Sequence, residues 1–182
     1  MSERFEIRFS GSGGQGLILA GVIFAEAATI FDKINAVQSQ SYGPEARGGA
    51  SKSEVIISDK PIDFPKARAI DLQLSLTQES CSKYYKDIKP DGTLLVDEDF
   101  VRDIPKGTFK VIKMPIIRTA SEEIGKAFVA NIVAIGAITA LTGKVRLESV
   151  EKAVLSRVPK GTEEMNKKAL RAGYDMAKAK MN

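Results

Sequence analysis

Apolar and polar residues alternate over residues 5–10 (FEIRFS), give way to the glycine-rich stretch GSGGQG, and are followed by an Ala/Leu/Ile-rich run over 16–31. A period of two followed by helical composition predicts strand, loop and helix. Residues 34–39 read as a second strand, 40–49 as a loop, and 51–58 (SKSEVIIS) as a third strand. Residues 71–77 (DLQLSLT) place Leu72, Leu74 and Leu76 on one face, and 78–87 suits a short helix. Strands follow at 93–96 and 109–114, after turns at Pro90-Asp91-Gly92 and Pro105-Lys106-Gly107. From residue 121 the pattern is helical. Residues 127–141 are apolar nearly all round, as in a helix buried between layers. Leu147, Val150, Val154, Leu155 and Val158 recur at helical spacing before Pro159, and a last helix follows Thr162 to about residue 180.

Strands that alternate with helices predict an α/β fold: one three-layer α/β/α domain over residues 1–182, Rossmann-like, with a mainly parallel, mixed sheet and a C-terminal helical extension. Length and composition agree, at 182 residues with 43% hydrophobic and 27% charged, and no linker or repeat divides the chain. The inventory of reactive side chains is short. There is no histidine and one cysteine, Cys81, so the chain cannot ligate an iron–sulfur cluster with its own thiolates or pair a nucleophile with histidine. A self-sufficient hydrolase is not expected.

The net charge of +4 resides in the C-terminal part, where residues 144–182 carry 10 basic and 5 acidic side chains. Without interleaved aromatics this reads as a solvated helix face, so no nucleic acid partner is expected. The uncharged stretches 9–25 and 127–143 are too short and too polar for a membrane span, and the acidic N-terminus lacks a secretory pattern. A cytoplasmic protein is the expectation, and Cys81 reads as a structural thiol.

Gly11, Ser12, Gly13, Gly14, Gln15 and Gly16 satisfy G-x-G-x-x-G between a strand and a helix, where a backbone-lined anion site can form. In that pattern Gly11 makes the tight turn, Gly13 admits a ligand to the backbone, Gly16 brings the helix close to the sheet, and Gln15 offers an amide donor. The acidic residue that should follow at the end of the second strand is missing, since Asp32 precedes that strand and Glu45 lies well into the next loop. This disfavours a dinucleotide. The absence of Lys-Ser or Lys-Thr at the required spacing excludes a Walker loop. A plain strand-to-helix turn remains an alternative to anion or partner contact.

The second loop contains Tyr42, Gly43, Pro44, Glu45, Arg47, Gly48 and Gly49. Arg47 can grip a carboxylate or phosphate with two N–H donors, or serve as an ordinary surface cation. Both loops should leave the carboxyl edge of the sheet and form one rim. The acidic run Asp97-Glu98-Asp99 reads as a solvated turn rather than a Mg²⁺ or Ca²⁺ site, because further spaced oxygen ligands are lacking.

With GSGGQG at 11–16, Ala25-Glu26-Ala27, SYGPEARGG at 41–49, Ser51 and Ser53 before Val55, Ile62 with Pro65, Asp71-Leu72, Ala127 and Asn131 before Gly136, and Lys160-Gly161, the chain resembles a known family. That family is the gamma subunits, or gamma domains, of 2-oxoacid:ferredoxin oxidoreductases, and the likeness runs along essentially the whole chain. Similar domains form the smaller subunit of indolepyruvate:ferredoxin oxidoreductases. The resemblance implies a complex that decarboxylates a 2-oxoacid on thiamine diphosphate, passes electrons through iron–sulfur clusters to ferredoxin, and transfers the acyl group to coenzyme A. It implies alpha, beta and delta (ferredoxin-like) partner subunits, which hold the thiamine diphosphate, its Mg²⁺ and the clusters, while this chain binds no cofactor alone and carries no catalytic residue. SYGPEARGG looks most like the 2-oxoglutarate branch, with pyruvate and branched-chain 2-oxoacids still open, as is a homodimer of the isolated chain. The alternative classes are an independent Rossmann-type NAD(P) or flavin oxidoreductase and a nucleotide-sensing binding module.

Overall fold

The computed structural model describes residues 4–41 and 49–182. Six strands form one sheet: β1 (Arg4–Ser12), β2 (Asn35–Ser41), β3 (Ala50–Ser58), β4 (Ile70–Ser75), β5 (Ile88–Asp97) and β6 (Lys110–Met114), in the order β2-β3-β1-β4-β5-β6. β1, β4, β5 and β6 are parallel neighbours, and β3 runs antiparallel to both β1 and β2. The sheet is therefore mixed and mainly parallel, as the pattern predicts. The helices are α1 (Leu17–Glu26), α2 (Gln78–Tyr84), α3 (Ile116–Arg118), α4 (Ala130–Thr142), α5 (Leu147–Arg157) and α6 (Glu163–Met181). π-turns extend α1 over Ala27–Phe31 and α3 over Thr119–Ile124.

Alternation along the strands sorts side chains between two faces. Ile7 and Phe9 of β1, Val55 and Ile57 of β3, Leu72 and Leu74 of β4 and Leu95 of β5 pack with α1, α4, α5 and α6 into the large core. Their neighbours Leu94 and Val96 point the other way, into a smaller core with Cys81 of α2 and Val101. Cys81 is fully buried, and burial pushes its thiol pKa up, as suits a structural thiol.

Two details depart from the sequence reading. Pro90-Asp91-Gly92 lies inside β5: the pairs Ile70–Ile88 and Leu72–Thr93 show β5 advancing five residues while β4 advances two, so the turn signal marks a bulge. Asp97 is not on a solvated turn. It is fully buried at the end of β5, where its carboxylate accepts from the N–H groups of Asp99 (3.0 Å), Phe100 (3.2 Å) and Ile117 (2.8 Å). Burial nevertheless raises its pKa. Glu98 and Asp99 pair with Arg118.

Asp32, which is misplaced for a ribose, caps α5. Its carboxylate accepts from Arg146 N–H (2.8 Å), Arg146 Nε (2.7 Å) and Ser149 Oγ. Burial pushes its pKa up, but the Ser149 and Arg146 contacts together outweigh burial and hold it below the usual range. A lowered folded-state pKa contributes stability that is present above the unfolded value and lost as pH falls through the folded one. Asp32→Asn should therefore cost about 1 kcal/mol near neutral pH, the scale of a lost cap. In urea melts the gap between wild type and variant should close below about pH 4. A pH-independent gap would show that the charge is not what caps α5. Among the described residues no helix is long and apolar enough to cross a membrane.

Candidate functional site at the glycine loop

Gly11 and Ser12 end β1, and Gly16 caps α1 in a left-handed conformation (φ 73°). Gly14 is also left-handed, at φ 89°. The turn closes on itself. Gln15 N–H donates to Ser12 O (3.4 Å), and Ser12 N–H donates to Gln15 Oε1 (2.8 Å). Gln15 thus spends its carbonyl inside the loop. A Cβ on Gly11 would overlap Gln15 Oε1 and come within 2.7 Å of Leu17 Cδ1, so glycine here serves the compactness of the turn.

Gly16 has a different partner from the one expected. A Cβ there would stand 2.6 Å from Asn131 Nδ2, the same group that donates to Gly16 O at 3.2 Å. Gly16 therefore lets α4, not the sheet, approach the loop. The close approach of α1 to the sheet belongs to Gly21, whose Cβ would overlap Ser53 Oγ of β3. Asn131, with 6% of its surface exposed, ties the loop to the most buried helix. An amide among the apolar residues of the first half of that helix is a visible signal for that role.

The second loop emerges beside the first. Ser12 pairs with Ala50 and Ser41 with Lys52, so the carboxyl ends of β1 and β2 lie at one end of the sheet. Gly13 N–H donates to Gly49 O (3.2 Å), which fastens the end of the second loop to the glycine loop. Tyr42, Gly43, Pro44, Glu45, Arg47 and Gly48 lie outside the described residues.

Two cavities of about 320 Å³ each flank the start of α1. Among the described residues, one is lined by Ser12, Gly13, Gly14, Gly16, Leu17, Ile18 and Ser51, none of them titratable. The other has apolar walls that include Leu19, Phe128 and Ile132, with Asn131 and Asn166 as polar points. Its one ionisable residue, Arg157, pairs with Glu26. This edge is also where connections from β1 and β4 diverge to opposite sides of the sheet, the usual ligand position of an open α/β sheet. Helix N–H groups, two serine hydroxyls and a positive helix end suit an anion. Among the described residues, no side chain that lines the cavity over this loop is equipped for proton transfer.

A dinucleotide fits poorly for a topological reason. β3 lies between β1 and β2, so the end of β2 stands two strands from the glycine loop, about 10 Å at normal strand spacing. A ribose-binding residue there would be out of register with the pyrophosphate position.

The fold and the site define a class: an α/β module whose described glycine loop presents backbone N–H groups, with no titratable side chain among the described residues that line its cavity. The chain belongs to the pyruvate ferredoxin/flavodoxin oxidoreductase family, whose model matches residues 6–176. It is 57% identical over 177 residues to the 2-oxoglutarate synthase subunit KorC of Methanocaldococcus jannaschii, covering 96% of this chain and 95% of that one. Against the pyruvate synthase subunit PorC of the same organism, identity is 29% over 174 residues, covering 93% and 95%. Among solved structures, the gamma subunit of a keto/oxoacid ferredoxin oxidoreductase from Geobacter sulfurreducens superposes with a TM-score of 0.91 at 58% identity, covering 98% of each chain.

Proposed function

We propose that this chain is the gamma subunit of a thiamine diphosphate-dependent 2-oxoglutarate:ferredoxin oxidoreductase, which forms acyl-coenzyme A, CO₂ and reduced ferredoxin together with alpha, beta and delta subunits. The carrying observation is the contrast within one organism: 57% identity to its 2-oxoglutarate synthase subunit against 29% to its pyruvate synthase subunit.

The donor inventory supports the division of labour. A cluster needs several thiolates and the chain has one cysteine, which is buried. In the same reading thiamine diphosphate and its Mg²⁺ are assigned elsewhere as well; among the described residues no group of three or more His, Cys, Asp or Glu side chains converges. Those cofactors belong to the partner chains, where thiamine diphosphate supplies carbanion stabilisation. This chain contributes the rim. The N-terminus of α1 and Arg47 receive an anionic group, such as a phosphate of coenzyme A, and close the site against the larger subunits.

The test is reconstitution. Co-expressed with its three partners, the chain should support coenzyme A-dependent acceptor reduction with 2-oxoglutarate at a kcat/KM at least about tenfold above pyruvate, a discrimination worth ~1.4 kcal/mol. Preference for pyruvate or a branched-chain acid would reassign the branch, and turnover by the chain alone would end the proposal. Arg47→Ala should raise the KM for coenzyme A roughly tenfold, the scale of a lost charge-assisted contact. An unchanged KM removes Arg47 from the rim.

A further inference from the structure

The two edges of the sheet are protected very differently. β6 is five residues long with two lysines, Lys110 and Lys113, a combination that discourages strand addition. β2 is seven residues long, Asn-Ala-Val-Gln-Ser-Gln-Ser, with no charge and no proline. It keeps unbroken register with β3 from Asn35–Ser58 to Ser41–Lys52. Among the described residues its backbone has no backbone partner other than β3, so one row of N–H and C=O groups faces outward.

A cavity of about 410 Å³ adjoins the start of this edge, lined by Thr29, Lys33, Ile34, Asn35, Ala36, Val37 and Ile62. Ile30 beside it is 52% exposed. Lys33 is the one charged residue of the lining, is exposed and makes no ion pair among the described residues. Among the described residues it is also the one non-glycine residue with positive φ, 59°, so the turn from the end of α1 into β2 fixes where this residue's backbone stands.

An open strand edge beside a cavity with both apolar (Ile34, Val37, Ile62) and polar (Thr29, Lys33, Asn35) walls is the arrangement that binds an extended segment: main-chain bonds supply affinity and the cavity selects a side chain. We propose that β2 receives an extended segment of one of the larger partner subunits as a seventh strand, with an apolar side chain in the 410 Å³ cavity and a neighbouring carboxylate on Lys33. The identity of that partner rests on the function proposed above. The chemistry of the segment rests on the edge, the cavity and the lysine.

Hydrogen–deuterium exchange on the reconstituted complex and on the free chain tests this. The outward-facing amides among residues 36–41, every second one, should exchange at least about tenfold more slowly in the complex, as newly bonded edge amides do. Lys33→Gly removes the cation while suiting the left-handed backbone. It should weaken assembly about tenfold, which is the effect of losing one desolvated charge pair, without lowering the melting temperature. A complex that turns over 2-oxoglutarate while residues 36–41 exchange as in the free chain overturns the strand addition and leaves the function standing. Protection of those amides in a homodimer of the isolated chain assigns the edge to a second copy and overturns it too. If the subunits fail to assemble at all, the function and this partner fall together.

Discussion

Gly173→Ala should destabilise the protein by about 3 kcal/mol, because backbone meets backbone there and overpacking cannot be relieved by a rotamer change. A Cβ at Gly173 would overlap the carbonyl oxygen of Val133 and lie 2.7 Å from its carbon and 3.1 Å from Ala137 N. The reciprocal position matches, since a Cβ on Gly136 would overlap Leu170 O and stand 2.9 Å from Tyr174 N. Alanine's better helix propensity offsets only about 1 kcal/mol of this. For a chain of this size the melting temperature should fall by roughly 6–12 °C. The effect should reach the site as well. α4 carries Asn131, which holds Gly16 O, so helices forced apart at Gly136 and Gly173 shift the anchor of the glycine loop. An unchanged or raised melting temperature would show that α4 and α6 do not pack this closely.

Why the sequence revealed α4 and α6 but not their contact is instructive. The apolar run predicted a buried helix over 127–141, and Ala130–Thr142 is buried along almost its whole length. Yet neither Gly136 nor Gly173 stands out by periodicity, since their meaning exists only once the two helices cross. The strands behave likewise. Alternation marked the strands within a few residues of their ends, but it carries no information about neighbours, so β3 between β1 and β2 was invisible in the pattern. Pro90-Asp91-Gly92 misled because the same residue types that make turns also make bulges. Asp97 misled because its run of three acids looks solvated, while the donors that bury it arrive partly from Ile117 on the far side of β6. At the glycine loop the motif located the turn between β1 and α1, whereas the close approach of helix to sheet expected of Gly16 belongs to Gly21. Helix–sheet approach depends on which residue faces the strand, and that is set by the helix's rotation.

Arg8→Met should cost about 3 kcal/mol, because it leaves a carboxylate in a site built for its guanidinium. Arg8 lies in the polar half of the β1 alternation, yet its side chain is 1% exposed and that of its partner Glu54 10%. Its donors reach four acceptors: Nε to Glu54 Oε1 (2.8 Å), Nη1 to Gln73 Oε1 (3.3 Å) and to Tyr84 O (2.9 Å), and Nη2 to Asp87 Oδ2 (2.8 Å). One side chain thereby joins β1, β3, β4 and the end of α2, the elements beneath the glycine loop. Lys52, 2.9 Å from Glu54, supplies a second cation and keeps the loss below that of a wholly orphaned charge. Arg8→Lys keeps the charge but offers three donors from a single point. It cannot reach all four acceptors, spread over β3, β4 and the end of α2, and should still cost about 1–2 kcal/mol. The double change Arg8→Met with Glu54→Leu should recover most of the loss, since a buried ion pair replaced by apolar residues of similar volume is about neutral. A double-mutant cycle in urea measures the coupling directly. Additive single effects would mean that Arg8 acts through its bonds to Gln73, Tyr84 O and Asp87 or through packing over Tyr84, whose ring centroid lies 5.6 Å from the guanidinium carbon, and not through its bond to Glu54.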